Sequence, residues 1–274
     1  MSGRANRTTT GGYDAAFHTT HWTEIFDAGS EDDPKREAAL TELLKRYWKP
    51  VYSYLRSKGY DREAAKDLTQ SFFHEIVLGR SLIQQADRTK GRFRTFLLTA
   101  LDRYVTSVHR TEKRKKRMPE AGIVHLDDVD WLAIPDRDGT PTQVFDHAWA
   151  SAVLDQALSD VEANYRNKGK ATHWDVFRAR VLAPIMENAE SPTLPDLCEK
   201  YGIPDTARAS KMIIRVKRRF RTLLRRHVRQ LVNSDDEVDD EIRSLMKIFS
   251  KGPGATELAQ LFSPSTKRTT SPPL

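Results

Sequence analysis

Apolar residues recur every three or four positions along most of this 274-residue sequence. That spacing places them on one face of an α-helix, whereas a half-buried strand needs alternate positions. No segment alternates for long enough to predict a strand. The pattern therefore predicts an all-α fold, with helices at 35–58, 61–76, 92–117, 144–165, 172–187, 194–201 and 206–232. Pro50 is predicted to kink or divide the first helix, and Asp61 and Asp205 are predicted N-caps.

Breaks in the helical pattern divide the chain. Residues 118–143 contain five Pro and Gly residues and five Asp residues, which is typical of a flexible acidic linker. The two ends, 1–15 and 263–274, are rich in Gly, Thr, Ser and Pro and are predicted to be disordered. We therefore predict two helical domains, at 16–117 and 144–232, joined by this linker and followed by a C-terminal helical extension at 233–262.

The net charge of +7 hides two strongly basic blocks. Residues 86–117 hold 11 Lys and Arg against 3 Asp and Glu, and residues 206–232 hold 10 Lys and Arg and no acid. Two such blocks in an acidic remainder predict two surfaces for a polyanion, and not a uniformly basic protein. A solvated helix face is the alternative explanation for each block taken alone.

Several classes of protein are disfavoured by what the sequence lacks. No apolar run approaches the 18–20 or so residues that a membrane helix needs, and the N-terminus has no apolar signal segment. One cysteine, Cys198, allows no intramolecular disulfide and suits a reducing compartment. We therefore expect a soluble cytoplasmic protein with no membrane partner.

No motif for catalysis is present. The eight histidines have no partners at zinc-like spacing, and the phosphate-binding, dinucleotide-binding and serine-hydrolase glycine motifs are missing. The sequence therefore predicts that the protein is not an enzyme and has neither a cofactor nor a metal site.

The segment 194–232 has the pattern of a helix-turn-helix. A short predicted helix ends at Gly202, and a long helix with an entirely basic polar face begins a few residues later. The second helix of such a pair lies in the major groove of DNA. The residues predicted to lie nearest bases or phosphates are Thr206, Arg208, Ser210, Lys211, Arg215 and Arg218. A surface helical hairpin remains the alternative.

Three motifs, read in order, resemble a known family. They are Tyr-Trp-Lys-Pro-Val-Tyr-Ser-Tyr at 47–54, Asp-Leu-Thr-Gln-Ser-Phe-Phe at 67–73 and Gly-Arg-Phe-Arg-Thr-Phe-Leu-Leu at 91–98. Together they resemble region 2 of bacterial RNA polymerase sigma factors of the sigma-70 family, in particular the extracytoplasmic-function (ECF) group. The helix-turn-helix resembles region 4, so the resemblance covers about residues 20–232. It implies a factor that binds core RNA polymerase and promoter DNA to direct transcription initiation.

The resemblance also implies roles for individual residues. The surface that docks on core polymerase would include Arg56, Asp67, Gln70 and Phe73. The minus-ten promoter element would be read by Arg92, Arg94, Arg103, Ser107, Arg110, Lys113 and Arg114, and the minus-thirty-five element by the helix that begins at Thr206. An anti-sigma factor or a kinase would be a further partner, which the sequence does not identify.

Two other functions stay open. One is a DNA-binding regulator that has the sigma fold but does not program polymerase. The other is a protein-interaction module whose basic faces bind acidic proteins, and which would show no salt-sensitive affinity for DNA.

The C-terminal extension also has two interpretations. Six acids between Asp235 and Glu241 open a predicted helix with an apolar stripe, which favours a plain structural helix. Alternatively, the helix folds back on the basic helix, where its acids would compete with DNA.

Overall fold

The computed structural model of the protein describes residues 34–78, 93–112, 139–187, 189–232, 234–250 and 261–262. All regular structure in these ranges is helical, which confirms the all-α class. The helices are α1 Pro34–Ser57, α2 Arg62–Phe72, α3 Phe93–Glu112, α4 Pro141–Asn167, α5 Ala171–Phe177, α6 Ala183–Met186, α7 Leu194–Tyr201, α8 Thr206–Arg229 and α9 Asp236–Phe249. π-Helical turns at Phe73–Leu78 and Arg178–Leu182 extend α2 and α5.

Local capping explains where several helices begin. The Asp61 side chain accepts the backbone N–H of Ala64 at 2.8 Å, and Asp205 accepts that of Arg208 at 2.7 Å, so both predicted N-caps are confirmed. Helix α4 begins earlier than the predicted residue 144, because Thr140 forms a capping box with Gln143. The two predicted disordered ends and most of the predicted linker lie outside the described residues.

Pro50 does not divide α1, contrary to part of the prediction. The helix runs from Pro34 to Ser57 with Pro50 inside it. Proline removes one backbone hydrogen bond and crowds the preceding turn, at a cost of about 3 kcal/mol. Burial of the apolar stripe on both sides of Pro50, at Tyr47, Val51 and Leu55, offsets that cost.

The helices before and after the predicted linker share one core. Helix α1 packs lengthwise on α4, and the buried residues form a continuous cluster from Leu43 to Phe262. The reason lies in α4, which is apolar on more than one face and therefore also contacts α5, α8 and α9. The predicted division into two separate helical domains is thus not confirmed.

A buried ion pair ties α3 to α9. Arg94 and Glu241 are only 9% and 2% exposed, and Arg94 Nη1 lies 2.9 Å from Glu241 Oε1. The guanidinium also stacks over the Trp149 ring at 4.1 Å, and Nη2 donates to Ser244 Oγ at 3.2 Å. Three helices, α3, α4 and α9, therefore meet at one arginine.

Candidate nucleic-acid interface

Helices α7 and α8 are joined by a tight turn at the positions that the sequence predicts. Helix α7 ends at Gly202, whose φ of +63° is the left-handed conformation that glycine adopts without strain. The Ile203 N–H then bonds the Cys198 carbonyl at 2.9 Å, completing a Schellman turn. Ile203 is buried together with Leu197 of α7 and Ala209 of α8, so the turn and both helices are packed as one unit.

Helix α8 has an apolar face and a cationic face. Ala209, Val216 and Phe220 are completely buried. The opposite side carries six exposed cations, Arg208, Lys211, Arg215, Arg218, Arg225 and Arg226. Thr206 is exposed as well, and Ser210 is partly exposed. The four predicted cations, Arg208, Lys211, Arg215 and Arg218, therefore lie together along the solvent side of one helix.

The other cations of α8, Lys217, Arg219, Arg221 and Arg229, are only partly exposed. Arg221 Nε donates to the Leu261 carbonyl at 3.0 Å, and burial lowers the pKa of Lys217. Arg229 pairs with Asp235 and donates to the Val232 carbonyl at 3.2 Å. The surface available to a polyanion is thus narrower than the charge of the segment indicates.

Lys170 and His173 lie near the N-terminal half of the cationic face, and of these two only the lysine adds a positive charge. His173, on α5, stacks on Tyr165 with ring centroids 5.7 Å apart. Its pKa is lowered by burial and by the positive charges of Arg215, Lys170 and Arg208, so these groups share one electrostatic environment. Sequence reasoning missed Lys170 and His173. The signal that could have found them is the Lys-Gly-Lys turn at 168–170, immediately before α5.

Acidic residues of α9 contact the C-terminal part of α8. Asp239 pairs with Arg225, and Asp235 pairs with Arg229. Residues Val238 and Leu245 of α9 are buried against the core. The extension is therefore a packed structural helix that also contacts the basic helix, and competition between its acids and DNA stays a prediction.

A histidine joins the basic helix to α4. His227 Nε2 lies 2.9 Å from Asp160 Oδ2. Burial lowers the pKa of His227, while the bond to Asp160 acts in the opposite direction. This contact holds the C-terminal half of α8 against α4 at the side away from the exposed cations.

The residues expected to dock on polymerase are divided between surface and core. Asp67 is exposed, and Gln70 and Arg56 are partly exposed. Arg56 Nη1 donates to the Tyr60 carbonyl at 2.9 Å. Phe73 is 1% exposed and packs edge-on against Phe72, at 5.5 Å between centroids, so it contributes to the core and not to a surface.

The residues expected to read the minus-ten element are likewise divided. Arg103 and Ser107 lie four residues apart on the exposed side of α3. The neighbouring Asp102 anchors this helix to α1, since it accepts from the Tyr54 hydroxyl at 2.7 Å and from Lys58 at 3.1 Å. Arg94 is in the buried ion pair with Glu241. Arg92, Lys113, Arg114 and the side chain of Arg110 lie outside the described residues.

The described part of the chain is all-helical, and its helix α8 carries a row of exposed cations. Within the described ranges, no helix combines the length and apolarity that crossing a bilayer requires. In the same part of the chain, His, Cys, Asp and Glu side chains form no group of three or more suited to a metal ion. No protein-family model, curated protein or solved structure matches this chain.

Proposed function

We propose that this protein is an ECF-type sigma factor, which binds core RNA polymerase and directs promoter recognition and transcription initiation. The observation that carries the proposal is the row of exposed cations on α8, the second helix of a helix-turn-helix. Helices of this kind insert their N-terminal residues into the major groove, while flanking Lys and Arg bind phosphates. The order of sigma-like motifs in the sequence assigns this helix to the minus-thirty-five element.

The electrostatics of the interface support duplex binding. The N-terminal half of α8 carries Arg208, Lys211 and Arg215 on its exposed side, and Lys170 and His173 lie beside them. Cations from α8 and from the turn before α5 can bind phosphates on both sides of a groove, which orients the protein on DNA. If α7 and α8 were only a helical hairpin on the surface, there would be no reason for cations of α8 and of the turn before α5 to lie close together.

Binding to core polymerase is expected to depend on α2. Replacing Asp67 and Gln70 together by Ala should weaken co-purification with bacterial core RNA polymerase by about tenfold or more, as for residues that dominate an interface. The measurement is a pull-down over a range of core concentrations, with circular dichroism to follow helicity. A matched control is Asp155→Ala/Gln156→Ala, which removes the same residue types from exposed positions on α4.

Equal binding of core enzyme by the Asp67/Gln70 variant and the wild type would contradict this docking surface. Loss of core binding in the α4 control as well would show a general effect on folding, and would equally contradict a specific role for α2.

A DNA-binding regulator that does not program polymerase is the second candidate. The observation that favours it is the burial of Phe73 and Arg94, which leaves fewer of the family's contact residues on the surface. Such a regulator would bind duplex DNA in the absence of core enzyme and would not restore promoter-dependent transcription to it. A protein-interaction module would show neither activity.

The contact between α9 and α8 is expected to weaken DNA binding. Asp239→Asn removes the partner of Arg225 and a negative charge beside the cationic face. We expect it to raise the affinity for duplex DNA at low salt by a few-fold, because an exposed ion pair is worth at most about 1 kcal/mol. Asp240→Asn is the control, since Asp240 pairs with Arg243 of its own helix. Fluorescence anisotropy at two salt concentrations measures both variants.

Lower affinity in Asp239→Asn than in Asp240→Asn would mean that α9 supports the DNA-binding surface. The inhibitory interpretation of the extension would then be wrong.

A further inference from the structure

One apolar side chain lies in the middle of the cationic face of α8. Ile214 is 45% exposed, and only Met186 among the other large apolar residues of the described part is comparably exposed. An isolated exposed apolar residue needs no explanation on a protein surface. The neighbours of Ile214 make it different, because Lys211, Arg215 and Arg218 surround it within one helical turn.

The position of Ile214 along the helix is the second observation. Ala207, Lys211, Ile214 and Arg218 follow at steps of four, three and four residues, so they form one line along α8. All four are exposed. Ala207 and Ile214 are about 10 Å apart along the helix axis, because the rise is about 1.5 Å per residue. This distance is close to the width of the major groove, which is roughly 12 Å. The line therefore presents alternating apolar and cationic groups over the width of a groove.

Packing does not account for this residue. The core side of α8 is formed by Met212, Ile213 and Val216, whose side chains are at most 9% exposed. Ile214 lies outside this buried set, and no other large apolar side chain of α8 is exposed. In a cationic helix that enters the major groove, the apolar group available for contact is the C5 methyl of thymine.

We propose that Ile214 reads a thymine methyl group in duplex DNA, with Lys211 and Arg218 on either side bound to phosphates or base edges. The proposal rests on the proposed function, because it requires α8 to lie in the major groove. It assigns Ile214 as a residue that determines sequence preference, whereas the cations supply most of the affinity.

The experiment uses the full chain and a defined probe. Duplexes are first selected from a pool of 30-base-pair DNA with a randomised centre at low salt. The selected duplex is then synthesised with deoxyuridine in place of each thymidine in turn, which removes one methyl group and keeps the base pairing. Anisotropy measures the affinity of the wild type, of Ile214→Ala and of the control Met186→Ala, which removes the other exposed apolar side chain.

When deoxyuridine replaces one particular thymidine, the wild type and Met186→Ala should bind the duplex about fourfold more weakly than before. This is the effect expected when one methyl group is removed from an apolar contact. Ile214→Ala should bind with an unchanged salt dependence and show no difference between thymidine and deoxyuridine at that position. This result would support the assignment.

Two results would overturn the proposal in different ways. In the first, the wild type binds duplex DNA in a salt-sensitive way, but deoxyuridine has no effect or has the same effect on Ile214→Ala. That result would exclude recognition of the methyl group by Ile214 and leave the proposed function intact. Absence of salt-sensitive duplex binding by the wild type, both alone and in complex with core RNA polymerase, would overturn both.

Discussion

Replacing Arg94 by Met is expected to lower the free energy of unfolding by about 3–5 kcal/mol, the usual cost of leaving one member of a buried ion pair without its partner. The guanidinium lies 2.9 Å from Glu241 and stacks on Trp149, and both charged residues are almost fully buried. Methionine retains the apolar stem and removes the charge, so Glu241 would remain in the core without its arginine partner. Denaturant unfolding followed by circular dichroism measures the change.

Two further variants make this result specific. Arg103→Met removes an arginine from the exposed side of the same helix and should change stability by no more than about 0.5 kcal/mol. The double variant Arg94→Met/Glu241→Leu should recover most of the lost stability, because it removes both charges together. A small effect of Arg94→Met alone would contradict a structural role for this arginine.

Reversing Arg215 and Arg218 to Glu is expected to abolish promoter-dependent transcription and to weaken duplex binding strongly. Both side chains are exposed on the cationic face of α8, opposite the buried Val216 and Phe220. The slope of log affinity against log salt concentration should become less steep by about two, since each phosphate contact contributes about 0.9. Stability should change little, because both positions are exposed.

The control for charge reversal is Arg62→Glu/Arg243→Glu, which changes the net charge equally at exposed positions on α2 and α9. It should keep most of the wild-type affinity and the full salt dependence. A double reversal on α8 that leaves duplex affinity unchanged would exclude α8 as the DNA-binding helix, and with it the proposed reading of the minus-thirty-five element.

The features that could be predicted from the sequence are those with a local cause. Helix α7 has the predicted bounds 194–201, and α8 begins at the predicted Thr206. A glycine in the left-handed conformation ends the first helix, and an aspartate N-cap starts the second. Both signals act within four residues, as does the spacing that puts the cations of α8 on one face.

Phe73 illustrates where a local pattern fails. The motif at 67–73 implies a docking surface that includes it, whereas a π-helical turn begins at this residue and its side chain is buried beside Phe72. A π-turn changes the angular spacing of side chains around a helix. The sequence contains no signal for that change, since it depends on how the end of α2 packs.

Sequence alone determined the helical class of the described residues, the helix pair at 194–201 and from Thr206, and the cationic face of the second helix. Hydrophobic period, capping and charge act over a few residues, so the sequence contains them. Tertiary structure alone decided that the helices on the two sides of the predicted linker share one core, and that Arg94 belongs to it. Arg94 and Ser244 are 150 residues apart in the chain, and nothing within a few residues of either identifies the other. Their contact arises from the apolar faces of α4, which bring α3 and α9 together over Trp149.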